Sequence, residues 1–142
     1  MARYDDCTLR AVFTKSNGKC HLCGGQVAFR NYNALGARGR WEVDHSVAVS
    51  EGGTDHLNNL YPAHIACNRS KQARSSHSAR QANDLSRAPM AAAALERWKL
   101  DSALTGVISG GLLGARFGGP VGFWIGAILF GLAAYAVDPN DS

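Results

Sequence analysis

Four residues of this chain have the types and spacing of a metal-ligand set. Cys20-His21-Leu22-Cys23 is a C-x-x-C on a turn, and His64-Ile65-Ala66-Cys67 is an H-x-x-C further along. Thiolate and imidazole are the ligands Zn²⁺ prefers, four to a structural site. Two such pairs can close a tetrahedron and staple distant parts of a small domain. A C-x-x-C alone would equally suit a redox motif, and the second pair tips the reading towards zinc held by Cys20, Cys23, His64 and Cys67. The alternative is that His64 caps a helix and the thiols are ordinary buried cysteines. Cys7 has no partner in this scheme and is expected to be packed. A second constellation runs Asp44-His45, Asn59-Leu60 and Cys67-Asn68-Arg69-Ser70-Lys71. Neighbouring residues on a strand point to opposite faces, so Asp44 and His45 diverge unless the strand ends or bends there. The Ser-Glu-Gly-Gly-Thr loop that follows gives that freedom. Asp-His alone reads as a surface pair, and His56 reads as an exposed loop residue.

Taken in order, Cys20-x-x-Cys23, Trp41-Glu42-Val43-Asp44-His45, Gly52-Gly53, Asn59-Leu60, Cys67-Asn68 and Lys71 resemble an HNH endonuclease. The spacings agree as well, with 14 residues from His45 to Asn59 and nine from Asn59 to Asn68. The resemblance covers roughly residues 15–75. Zinc-bearing members usually carry C-x-x-C as the second pair, where this chain has His64 at the first position, and Asn68 stands where the family name has its last His. The resemblance implies a ββα-metal site, two strands and a helix around one divalent cation. It implies His45 as the general base that activates water, a task suited to an imidazole largely neutral near pH 7. It implies Mg²⁺ or Mn²⁺ bound by the hard oxygens of Asp44 and Asn68, and Asn59 bonding the loop to hold His45. Arg69, Lys71 and Arg74 would then meet DNA phosphates.

The elements that must position these residues are short. Leu9 to Lys15 reads as a helix or strand, Ser16-Asn17-Gly18 as a turn, and Gln26 to Arg30 as a strand. Trp41 to His45 alternates like a strand, and Ile65 to about Ser76 looks helical. Residues 75–88 read as a linker or frayed helix. A further helix is predicted from about Pro89 to Leu100, where Pro89 suits a first turn and Ala91 to Ala94 are strong helix formers.

The last part of the chain has a different character. Gly106, Gly110, Gly114, Gly118, Gly122 and Gly126 recur every four residues, which on a helix makes one smooth stripe. Such a stripe lets helices approach closely in a membrane. From Phe117 to Val137 there is no charge for 21 residues. At 1.5 Å per residue that is ~31 Å, close to the hydrocarbon core of a bilayer. A single span is one reading. A hairpin broken at Gly118-Gly119-Pro120, with arms 102–116 and 120–137, is another, and it would put both ends on one side. A soluble Gly-rich hairpin buried against a partner is the rival to both.

The predicted organisation is therefore α+β. A small HNH-like domain with structural zinc occupies 1–75, and a basic, partly helical linker 76–101. A Gly-rich transmembrane-like helix or helical hairpin occupies 102–137, and an acidic tail 138–142. Charge follows these divisions. Residues 1–101 carry 14 basic and nine acidic residues, net +5, whereas 102–142 carry Arg116 against Asp138 and Asp141. Seven of the basic residues lie between Arg69 and Lys99. That stretch suits a DNA backbone or anionic lipid, and equally a solvated linker. At 46% hydrophobic and 18% charged the chain is not disordered as a whole, and its four cysteines are too few for a disulfide scaffold. No apolar run opens the chain, so the N-terminal part is expected on the cytoplasmic side of a membrane, or free in the cytoplasm. Three functions follow from these features. The first is a metal-dependent DNA endonuclease associated with membrane lipid through 102–137. The second is a zinc-stapled nucleic-acid-binding module that does not cut. The third is a membrane-active or assembly protein that self-associates through the glycine stripe.

Overall fold

The computed structural model describes residues 4–138, which form two compact units, one up to Ala92 and the other from Ala93. The part of the acidic tail beyond Asp138 lies outside the described residues.

The first unit opens with α1 (Asp6–Thr14). Asp5 caps it, its carboxylate accepting from the Thr8 backbone N–H at 2.8 Å. That contact holds the Asp5 carboxyl below its usual range. Leu9 and Val12, one turn apart, face the core. Cys7 is exposed on this helix, so the expectation that it packs is not met. The strands β1 (Trp41–His45) and β2 (Leu60–His64) pair antiparallel, with Trp41 opposite His64 and His45 opposite Leu60. Trp41 is fully buried and ringed by Phe13, Phe29 and Tyr32 at 5.1–6.3 Å between ring centroids. Leu9, Val12, Leu22, Val27, Leu60 and Ala63 complete most of the core. So small a core is one that a structural metal commonly supplements.

The helix α2 (Ile65–Lys71) follows β2 without a loop, giving the ββα order that the resemblance implies. It ends at Gln72, whose φ of 53° breaks the helix. The predicted single helix to Ser76 is therefore two pieces, and α3 (Ser76–Gln81) is the second. Ser75 caps α3, the Ala79 side chain joins the core, and the Ser76 hydroxyl donates to the Ser46 carbonyl at 3.1 Å. Residues 76–92, the first part of the stretch read in the sequence as linker, fall within the first unit. Gln26 to Arg30 is not a strand but one bridge, Lys19 to Gln26, followed by a 3₁₀ turn at Phe29–Asn31.

The second unit is one helical stretch, Ala92–Ala136, broken at Gly119 (φ 60°, ψ −147°) just before Pro120. The break makes two arms, α4 (92–118) and α5 (120–136). Gly106 lies against Phe130, Gly110 against Gly126 and Gly114 against Gly122, so the arms run antiparallel. This is the hairpin rather than the single span. Its first arm starts at Ala92, later than the predicted helix from Pro89 and continuous with it in effect. Gly118 has open space around it and takes no part in the contact.

Candidate metal centre and catalytic face

A tight turn carries the first two metal-type ligands. The Cys20 N–H donates to the Gly25 carbonyl at 2.8 Å, and the Gly24 N–H to that of Cys20 at 2.9 Å. The end of β2 supplies His64 and the first turn of α2 supplies Cys67. The ligand atoms of Cys20, Cys23, His64 and Cys67 all lie within 4.8 Å of one another. His64 stands at the N-cap position of α2, but its side chain makes no capping bond. Instead its Nε2 donates to the Gln26 carbonyl at 3.0 Å, which turns Nδ1, 3.3 Å from Cys23 Sγ, towards the cluster. This is how an imidazole is oriented for a metal by its other nitrogen. The donor set of three thiols and one imidazole fits structural zinc. Hydrogen bonds from Cys23 and Cys67 hold the Cys20 thiol far below its ordinary range. The contact with Cys20 pushes Cys67 up, and contact with Cys20 also raises His64 to about 9. Zinc would displace the protons this cluster shares.

The strand β1 sends its residues two ways, as alternation requires. Glu42 and Asp44 face α2. The Asn68 amide donates to Glu42 Oε1 at 2.9 Å, and the Lys71 ammonium donates to Asp44 Oδ1 at 3.0 Å and to the His45 carbonyl at 2.9 Å. The other Asp44 oxygen meets His21 Nε2 at 2.7 Å. Asp44, Lys71 and His21 are all buried, their side chains at most 4% exposed. Lys71, expected to meet phosphate, instead neutralises this carboxylate. A charged side chain is buried in this way only when a partner compensates it. Oxygen donors from Glu42, Asp44 and Asn68 suit Mg²⁺ or Mn²⁺ in kind. Each Asp44 oxygen already accepts one hydrogen bond, so an ion reaching Asp44 must share this carboxylate with, or displace, Lys71 or His21.

His45 points away from this cluster. Its Nε2 lies 2.7 Å from Asp55 Oδ1, which also accepts from the Tyr4 hydroxyl at 3.0 Å. An ionised carboxylate only accepts, so Nε2 carries the proton and Nδ1 of the neutral ring has the lone pair. Asp55 lies in the loop after β1, and Asn59 shapes that loop. The Asn59 Oδ1 accepts from the Val47 N–H at 2.8 Å, and its amide donates to the carbonyls of Val47 and Thr54 at 3.1 and 2.9 Å. Gly52 takes a left-handed φ of 83°, and at Gly53 a Cβ would collide with the Val47 carbonyl. Asn59 thus bonds the loop that carries Asp55. Of the basic residues, Arg69 is exposed. Arg74 is also exposed, and its guanidinium turns back to the carbonyls of Ser70 and Lys71 at the end of α2.

Three partners escaped the sequence reading: Asp55, His21 and Glu42. Glu42 carried a signal, since it sits two residues before Asp44 on the same strand face. Asp55 and His21 carried none, because folding of the loop and of the cysteine turn brings them in.

Residues 20–74 match the family model for HNH endonuclease. No curated protein and no solved structure matches the chain.

Proposed function

Because residues 20–74 form a domain of the HNH endonuclease family, we propose that this protein is a metal-dependent endonuclease acting on DNA. The observation that carries the reading is the His45–Asp55 contact of 2.7 Å, between the end of β1 and the loop that follows it, on a strand paired with the one that carries His64 of the metal-type cluster. His45 takes a proton from water at Nδ1 as the water oxygen attacks the phosphorus; the P–O bond to one flanking sugar oxygen breaks, and that departing oxygen takes a proton from solvent. Asp55 keeps the other proton at Nε2 and stabilises the imidazolium that forms. Asn59 holds the loop that carries Asp55. Arg69 and Arg74 meet flanking phosphates without reading sequence. Asp44 and Asn68, with Glu42 beside them, would hold Mg²⁺ or Mn²⁺, which when bound supplies charge stabilisation at the scissile phosphate. The C-terminal unit gives the enzyme a membrane address. One helical segment, Gly118–Ala136, is long and apolar enough to cross a bilayer.

A nucleic-acid-binding module that does not cut has one observation on its side, the bonding of both Asp44 oxygens by Lys71 and His21. Plasmid cleavage by the full chain separates the two readings. The protein is stripped with EDTA, reloaded with zinc, and given Mg²⁺ or Mn²⁺ singly, with His45→Ala alongside. Metal-dependent cutting that the variant loses supports the nuclease. Retained DNA binding without cutting, from zinc-loaded folded protein, assigns the module.

A further inference from the structure

We propose that residues 102–137 enter a lipid bilayer as a closed two-arm hairpin, with its tip among the far headgroups and both ends on one side. The inference deepens the membrane association proposed above and rests on it. Its first support is where the large side chains stand. Between the arms Gly110, Gly111, Ala127 and Gly131 are buried, with Phe123 set against Gly111 and Val107 against Gly131. Many other large apolar residues stand outside. Leu104, Ile108, Leu112 and Leu113 are 52–66% exposed and sweep about half of the circumference of α4 at 3.6 residues per turn. On α5, Trp124 and Leu129 are more than 60% exposed. A hairpin built for water hides such residues between its helices. One partner surface could cover one flank of this one, whereas hydrocarbon covers both.

The polar groups agree. Thr105 and Ser109 are exposed on α4, yet each hydroxyl donates to the carbonyl four residues back, to Asp101 and Thr105, both at 2.9 Å. Hydrocarbon demands such internal satisfaction and water does not. Charges confine themselves to two levels. Arg97, Lys99, Asp101 and Asp138 lie at the base, and Arg116 lies at the tip beside the backbone break at Gly119-Pro120. The 14 uncharged residues from Ser102 to Ala115 span ~21 Å, and Asp101 to Gly118 spans ~26 Å, at 1.5 Å rise. A long Arg or Lys side chain that snorkels makes up the difference to a hydrocarbon core of ~30 Å. Aromatic residues mark the same levels. Lys99 lies 6.0 Å over the Tyr135 ring at the base, and Trp124 stands about one turn from the tip. The chain enters and leaves on one side, so the nuclease domain joined at residue 92 stays on that side.

The test uses the full chain, zinc-loaded, synthesised with vesicles of phosphatidylcholine, whose neutral headgroups remove simple attraction to the basic stretch. Flotation in high salt reads the association. Most of the protein is expected to rise with the vesicles, and protein left at the bottom, as monomer or as a dimer, overturns both the association and the hairpin. Topology is read on floated Gly118→Cys in a Cys7→Ser background, with the Cys7→Ser chain as the blank. Position 118 has open space, so the side chain is accommodated. An impermeant maleimide is expected to leave the new thiol unlabelled until detergent is added. Labelling before detergent, on floated protein, overturns the crossing hairpin and leaves the association standing.

Discussion

His45 and Lys71 touch the same strand end and have opposite tasks. Asp55 occupies one ring nitrogen of His45, which leaves the other for the chemistry proposed above. His45→Ala is expected to lower plasmid cleavage by about 10²-fold or more, with zinc content and the melting curve unchanged. Asp55 acts through His45 as a positioning residue. Asp55→Asn is expected to cost about tenfold or more in rate while DNA affinity, read by a mobility shift, stays the same. Lys71 is buried against Asp44, and removing it leaves a carboxylate without its cation. Lys71→Met is expected to lose about 3–5 kcal/mol in urea unfolding, whereas a lysine that only met phosphate would weaken DNA binding and leave stability alone. These three residues also mark how much of the site was legible in the sequence. His45 stood out by its neighbours and its spacing to Asn59 and Asn68. The burial of Lys71 was hidden because lysines are seldom buried, and only a carboxylate on another element makes this one so. Asp55 reaches His45 through a loop whose path depends on Gly52, Gly53 and Asn59 together, which no local pattern encodes.

At the scale of elements, the cysteine turn, β2 and the start of α2 have only a small core between them and depend on one another through the cluster. Chelation of the bound metal is expected to unfold the first unit, read as loss of the near-ultraviolet signal of buried Trp41, and restored zinc is expected to return it. The four ligands were legible because rare residue types recur at short spacing. The break of α2 at Gln72 was not, since glutamine has no preference for the left-handed conformation it takes there. The glycine repeat was legible as a close-packing surface, but its partner was not, because a period of four suits two molecules as well as two arms. The structure separates its members. A side chain at Gly114 collides with the backbone of Gly122, and one at Gly118 meets nothing. Gly114→Leu is therefore expected to force the arms apart and lower helicity in detergent micelles by circular dichroism. Gly118→Leu is expected to change little.

Across the whole molecule, the net charge of +4 arises in the first unit, where residues 1–92 carry 12 basic and seven acidic residues, while the hairpin is nearly uncharged between its two ends. DNA affinity is accordingly expected to fall steeply with added salt. The proposed membrane attachment, which would rest on buried apolar surface, is expected to hold through the same range, and flotation and mobility-shift assays across one salt series would read both. The hairpin has one more consequence, which follows from Gly110 and Gly114 lying against Gly126 and Gly122 of the same chain. Its close-packed seam forms once per molecule and needs no second molecule to meet. Dilution then has no hold on it, since mass action weakens only what must be assembled from separate parts. A single copy per cell has its hairpin as fully formed as a thousand do.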